Sequence, residues 1–269
     1  MKLTDTASNQ EFSPSERQDL IDIVKDLSPW IDSDDQAVSP IRGCRNEALK
    51  RLNAIKPTRY AKTRNHLDGD VTRLSPYVSR GLISLHDIRD KAFELAPPHE
   101  KFMQQLAWRD YWHGILKLNP HYMWEDAEAY KTGFKAQDYA DDLPSDIATA
   151  KTGVACIDQF LTELCETGWV HNHARLYLAA YVCHWRRVKW QAGAQFLLTH
   201  LLDADVASNN LSWQWVASTF SHKPYYFNLE NVQKFSGNDI DTRPETNRAL
   251  DGSYEDLAAE LFPNMEPQR

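Results

Sequence analysis

The segment LLDADVASNNLSWQWVAST, residues 201–219, sets two acids, Asp203 and Asp205, two apart behind a run of aliphatics. Two amides, Asn209 and Asn210, follow, and then two indoles, Trp213 and Trp215. From about Val206 the pattern reads as a helix, and a carboxylate just before a helix is an ordinary cap. Capping accounts well for one acid and less well for two. Carboxylates, amides and indoles so close together also offer both donors and acceptors. That set suits the polar edge of a flavin or a purine.

Upstream, GWVHNHARLYLAAYV places Asn172 and Arg175 three apart on one helical face. A guanidinium near a carboxylate and a polar heterocycle makes a charge-assisted anchor. Further upstream, DVTRLSPYVSRGLIS sets Thr72 and Ser75 just before Pro76. Hydroxyls and free backbone N–H groups at a helix start can hold phosphate. Plain N-capping fits that stretch equally well.

Between these stretches helix signals dominate. Residues 13–16, Ser-Pro-Ser-Glu, have the form of a capping box ahead of RQDLIDIVKDL. PIRGCRNEALKRLNAI, from Pro40, spaces Ala48, Leu49, Leu52 and Ile55 for one helical face. Ser84 caps LHDIRDKAFELA, and Pro97-Pro98 stops it. Residues 99–118 predict a helix with Phe102, Leu106, Ile115 and Leu116 toward the core. A looser acidic, aromatic stretch covers 119–150. Helix then returns over 155–202, broken at 167–169 and near Gly193. Alternating strands, repeats and low-complexity runs are absent from the sequence, so the expected fold class is all-α. The expected division is an N-terminal helical extension at 1–39, a helical domain at 40–236 and a polar, Pro-containing tail at 237–269.

Composition sets outer limits. The 269 residues, 42% of them hydrophobic, suffice for a sizeable core. A net charge of −8 argues against a generally basic nucleic-acid binder, though a local patch survives that test. Cys44, Cys156, Cys165 and Cys183 form no C-x-x-C pair. They read as reduced thiols, with neither a disulfide frame nor a zinc site. The N-terminus lacks an apolar signal region and no stretch reaches the ~18 apolar residues of a membrane span, so a cytoplasmic protein is expected. The nine tryptophans read mostly as core packing. Arg186, Arg187 and Lys189 read as a solvated helix face. Lys56, Arg59, Lys62 and Arg64 form a second short basic run, either a solvated face or a phosphate contact. His113, His171, His173 and His184 read as groups satisfied locally.

Taken in order, RLSPY, WRDYW, TGWVHNHAR, LLDADVASNN and WQWVAST resemble the helical FAD-binding half of the photolyase/cryptochrome family over roughly residues 40–235. The resemblance implies a helical domain holding FAD in a bent shape. Thr72, Leu74 and Ser75 match the phosphate-contacting stretch, with Tyr60 nearby. Asn172, Arg175, Asp203 and Asp205 match positions around the isoalloxazine and adenine, and Asn209 faces the flavin N5. Gln105, Trp108, Arg109 and Trp215 match the rim that holds flipped-out damaged bases. Trp190 and Trp213 match two members of an electron path to the flavin. The chain also departs from the pattern. No antenna domain precedes the helices, so FAD is the one cofactor expected and no metal is. Val71 stands where a phosphate-binding threonine is common, and Gln105 where many cyclobutane-dimer enzymes carry glutamate. His173 replaces a larger basic side chain. Gln137 replaces the surface tryptophan of the electron path, for which Trp124, Tyr130 or Tyr139 are candidate substitutes.

Three functions follow from this reading. One is light-driven repair of pyrimidine dimers in damaged DNA, with single strands preferred. The second is a light- or redox-responsive flavoprotein that signals to a protein partner, homo-oligomerisation staying open. The third, a helical interaction protein without cofactor, sits badly with the retained acids, amides and arginine.

Overall fold

The computed structural model describes residues 39–265, together with Asp19, Asp22, Ile23 and Asp26. The capping box at residues 13–16 and nearly all of the helix expected after it lie outside the described residues. The chain divides into two compact units, residues 1–38 and 39–269, and every element named below belongs to the second.

Helix α1 (Arg45–Asn53) buries Ala48 and Leu52, and Ile55 joins them just past its end. Leu49 departs from the expected face and is 37% exposed, because one residue further along a helix turns the side chain through about 100°. Helix α2 (Pro57–Thr63) opens on a proline, whose missing N–H costs nothing at that position. Helix α3 (Ser75–Ser79) is little more than one turn started by Ser75-Pro76. Helix α4 (Leu85–Phe93) has a full capping box: the Ser84 hydroxyl accepts the Asp87 N–H and the Asp87 carboxylate accepts the Ser84 N–H. Helix α5 (Glu100–Leu118) is the longest, yet it buries only Phe102 fully. Leu106, Ile115 and Leu116 are half-buried, because part of this helix faces a cavity and part faces solvent.

Residues 119–150 form short 3-10 turns and the single turn α6 (Ser145–Ala148). Side chains of one later helix hold residues 122–127, and Lys189 and Arg186 hold Asp141 and Asp146. Helix α7 (Ala155–Thr167) ends on Gly168, whose φ of 69° is the left-handed stop that glycine adopts without steric cost. Helix α8 (Asn172–Ala180) widens into a π-type turn at Tyr181–Trp185, closed by the Arg186 N–H on the Tyr181 carbonyl. Then come α9 (Trp190–His200), α10 (Val206–Ala217), α11 (Leu229–Phe235) and α12 (Tyr254–Leu261). No strand forms among the described residues beyond one isolated bridge, Ala140 to Val188. None of their helices is long and apolar enough to cross a membrane.

The main core joins α7 to α11, with Phe160, Tyr177, Trp190 and Phe227 fully buried, and residues 247–262 close over it. Asn247 accepts the Cys156 N–H at 3.0 Å, and the Trp185 indole donates to the Ala249 carbonyl at 2.7 Å. Helix α10 is buried on almost every side, so its polar side chains need partners. Asn210 donates to the Met123 carbonyl at 2.6 Å, and Gln214 to those of Tyr122 and Glu125 at 2.7 and 3.1 Å. Gln214 in turn accepts the Ala127 N–H at 2.9 Å. These amides replace the regular pairing that the 119–131 segment lacks.

Two expectations are corrected here. The break expected near Gly193 falls instead at residues 186–189. Gly193 lies inside α9, and the position takes glycine because a Cβ there would come within 2.2 Å of the Trp213 ring. The basic run is not a helix face. Arg186 forks onto Asp146 at 2.8 and 3.1 Å and Lys189 pairs with Asp141, while Arg187 donates to the Leu261 carbonyl and lies over Phe134.

Gly193→Ala should therefore destabilise the protein by about 1–3 kcal/mol through overpacking, read as a lower Tm. Gly114→Ala on the open face of α5, with nothing within 4 Å, should stabilise by about 0.5–1 kcal/mol.

Candidate functional site

A cavity of about 700 Å³ opens between α3, α5, α8 and α10. One stripe of α10 lines it, Asp205, Ser208, Asn209, Ser212 and Trp213, as helical spacing of three and four dictates. Helix α5 contributes Gln105, Trp108, Arg109 and Trp112 at the same spacing. Tyr60, Thr72, Leu74 and Ser75 come from the α2–α3 side, Asn172 and Arg175 from α8, and Asp203 from the turn before α10. Thus the residues expected at a cofactor and at a substrate rim share one cavity. Trp190 does not line it. It is fully buried behind the wall, one turn before Gly193, on which Trp213 packs.

The two acids are held differently. Asp203 takes the Arg175 guanidinium on both oxygens, at 2.8 and 3.3 Å, and the Ser75 hydroxyl at 2.8 Å. Burial pushes its pKa up, but the charge and hydrogen bonds of Arg175, helped by Ser75 and Arg109, outweigh this and leave it below the ordinary carboxylate value. Asp205 caps α10 by accepting the Ser208 N–H at 2.9 Å, and its other oxygen takes Arg109 and His113. Arg109 also donates to Ser79 at 3.1 Å, so it ties α5 to α3 and α10. The Ser75 hydroxyl has one proton and gives it to Asp203. Any phosphate at this helix start would meet backbone N–H groups unless that bond switches.

Asn209 donates its two amide hydrogens to the Ala194 carbonyl at 3.1 Å and to Asn210 at 2.9 Å. The carbonyl of Ala194 can only accept, which fixes the amide's orientation and leaves Oδ1 as the group on offer. His171 accepts the His173 N–H on Nδ1 at 3.0 Å, and burial first, then the neighbouring His173, Arg73 and Arg175 charges, draw its pKa down to about 4. The neutral ring then carries its hydrogen on Nε2, which is buried without a partner on the cavity wall. The expectation that His171 is satisfied locally fails for this nitrogen, as it does for Nδ1 of His184. His113, also expected to be satisfied locally, instead finds its partner 92 residues away, reaching Asp205 at 2.9 Å. Its place four residues after Arg109 is the signal that points there.

The donor set suits a large anionic, heterocyclic ligand. Arg64, Arg73 and Lys101 line the cavity, and none is in an ion pair among the described residues. Ile88, Phe102, Val170, Leu176 and Ala179 add apolar lining. The mouth is aromatic: Trp108 is 45% exposed and stacks on Trp112, and Trp215 is 38% exposed and packs against Tyr225. Core packing does not explain these two indoles. Residues 102–245 match the family described as the FAD binding domain of DNA photolyase.

The chain belongs to this family. Sequence relatives carry the photolyase name. The deoxyribodipyrimidine photo-lyase of Streptomyces griseus is 35% identical over 162 residues, 60% of this chain and 35% of that protein. That of Alkalihalophilus pseudofirmus is 28% identical over 196 residues, 68% of this chain and 40% of that one. Among solved structures, the Sulfolobus tokodaii photolyase, crystallised with two FAD molecules, is similar with a TM-score of 0.61 at 28% identity. It covers 73% of this chain and 45% of its own. A Synechocystis cryptochrome shares the fold, with a TM-score of 0.65 at 20% identity over 89% of this chain and 49% of its own. The chain spans less than half the length of each of these. Residues that would hold FAD are all on its walls: cations and an unpartnered His171 N–H for anionic or acceptor atoms, and Asn209 Oδ1 for a ring N–H.

Arg175→Leu would leave Asp203 buried without its cation and should cost about 3 kcal/mol. The pair's contribution to stability should be complete above the ordinary carboxylate pKa of 3.8 and vanish as pH falls through the lowered value. Acid unfolding curves of the wild type and Asp203→Asn should differ in that window and run parallel above it.

Proposed function

We propose that the chain is a light-driven, FAD-dependent repair protein for pyrimidine photolesions, acting on bases turned out of a single strand in preference to a duplex. The observation that carries this reading is the single cavity whose floor offers flavin-type contacts and whose mouth holds two half-exposed tryptophans. When bound and reduced, FAD supplies the excited electron that splits the dimer. The protein binds, orients and excludes water. Asp203 with Arg175, and Asp205, present fixed charges to the polar edge of the ring, and Asn209 Oδ1 accepts from a ring N–H. Thr72 and the Leu74–Ser75 backbone, with Tyr60 and Asn172, face the remaining length of the cofactor. Trp213 lies between the cavity and Trp190 and carries electrons inward. Trp108 and Trp215 stack on the displaced bases, Gln105 reads a base edge, and Arg109 acts through Asp205. Stacking on an aromatic ring is worth about 1–3 kcal/mol per base, which offsets the cost of unstacking.

A preference for single strands follows from charge. At −8 overall, the chain attracts phosphate weakly at long range. Lys56 and Arg59 share Asp70, and Arg186 and Lys189 face their own acids, which removes much of the local cationic surface. The same observation favours a second reading, a flavoprotein that responds to light and signals to a protein partner without repair.

The protein should carry or take up close to one FAD per chain, read from its absorption spectrum. A folded protein that does neither rejects both readings. Trp213→Phe should slow photoreduction sharply with FAD still bound. Fully reduced protein illuminated with DNA containing cyclobutane or (6-4) lesions should restore intact bases. Trp215→Ala should cut repair about tenfold with FAD retained, the loss expected for one stacking contact. If neither lesion is reversed and damaged DNA binds no better than intact DNA, the signalling reading replaces repair.

A further inference from the structure

Behind the cavity wall, Trp190 is fully buried, and its ring lies parallel to that of Trp124, with centroids 6.4 Å apart and planes 3° apart. Trp124 is 39% exposed. The Trp190 indole N–H donates to Asp126 Oδ1 at 2.6 Å, short even for a bond to a carboxylate. Gln191 fixes the arrangement by donating to the Trp124 carbonyl at 3.2 Å and to the same Asp126 oxygen at 3.1 Å. A buried indole therefore has a surface indole on its face and a base on its nitrogen. Tyr130 and Tyr139, the other candidates for a surface terminus, stack on each other at 4.3 Å, but both are buried and neither opens the path to solvent.

We infer that Asp126 is the proton acceptor for oxidised Trp190 and that Trp124 is the solvent end of the electron path. This rests on the proposed function, in which electrons move through Trp190 and Trp213 toward a photoexcited flavin. Oxidation makes an indole N–H strongly acidic. When one electron leaves Trp190 toward Trp213, the Nε1–H bond breaks and an O–H bond forms on Asp126, leaving a neutral Trp190 radical. One electron then arrives from Trp124, and the proton returns from Asp126 to Nε1. An external thiol reduces the Trp124 radical cation and is itself oxidised by one electron. Net, the thiol loses one electron and the cavity side gains one. Proton transfer keeps the intermediate charge out of the interior, where an unpaired charge is costly. Besides its contacts with Trp190 and Gln191, the charge of Asp126 is felt by the Tyr130 phenol and the Cys183 thiol. Burial pushes both pKa values up and keeps both groups neutral, so neither competes for the proton.

Two arms test this on the full chain. In the first, photoreduction with thiol is followed by transient absorption in H2O and D2O. Trp124→Phe should slow net reduction about tenfold, equivalent to ~1.4 kcal/mol on the barrier. Asp126→Asn keeps an oxygen for the indole N–H but not its basicity. It should abolish the solvent isotope effect and leave the Trp190 radical protonated, with the thermal melt unchanged. In the second arm, in the dark, a diffusible one-electron oxidant is applied and oxidised tryptophans are mapped by mass spectrometry. Buried Trp190 should be modified in the wild type and at least tenfold less in Trp124→Phe. Equal Trp190 modification in the two proteins, or an isotope effect that survives Asp126→Asn, overturns the inference. If Trp190→Phe leaves photoreduction intact, the electron path of the proposed function has failed, and the dark arm alone still decides whether Trp124 feeds Trp190.

Discussion

Two buried carboxylates dictate how the helices meet. Asp203 and Asp205 lie within three residues of each other at the start of α10, nearly out of solvent. A buried charge stands only where an opposite charge and hydrogen bonds reach it. Arg175 arrives from α8, Ser75 from α3, and Arg109 and His113 from α5. Three separate helices are pinned to one turn of chain. Because the pinning groups converge from different directions, the helices cannot collapse onto that turn, and the space between them is the cavity.

The opposite side of α10 obeys a related constraint. Asn210 and Gln214 point away from the cavity into backbone that has no regular secondary structure of its own. Residues 119–131 keep their irregular path because those amides satisfy their carbonyl and N–H groups. Asp126 and Trp124 sit on that path. The geometry around Trp190 thus depends on the same helix that lines the cavity, and a change in α10 packing would be felt on both sides.

Much of this was legible in the sequence, for definite reasons. Helical spacing and end signals placed α4, α5, α7 and α10, since Ser84, Gly168 and the acids before Val206 act through local backbone chemistry. Gln105, Trp108, Arg109, Asn209 and Trp213 were marked by the family resemblance, and the helical repeat explains why Trp112, Ser208 and Ser212 join them on the cavity wall. What periodicity could not reveal depended on contacts distant in sequence. Gly193 looked like a helix breaker, but it is a gap filled by Trp213 from twenty residues on. Arg186 and Lys189 looked solvated, but their partners Asp146 and Asp141 lie some forty residues upstream. His171 carries no local motif, and the spacing of His113 from Arg109 gains meaning only once Asp205 is brought to both.

The closure of the core by residues 247–262 bears on how the chain is made. Asn247 satisfies the Cys156 N–H from 91 residues away, and Leu250 is fully buried in the main core. A chain emerging in order from the ribosome presents α7 to α10 well before these residues exist. Until they arrive, the Cys156 N–H and the Trp185 indole lack their partners and part of the core faces water. Such late, long-range closure is slow and leaves apolar surface in view of other chains. The helices α7 to α10 therefore wait, partly uncovered, for a stretch made later than themselves to complete their packing.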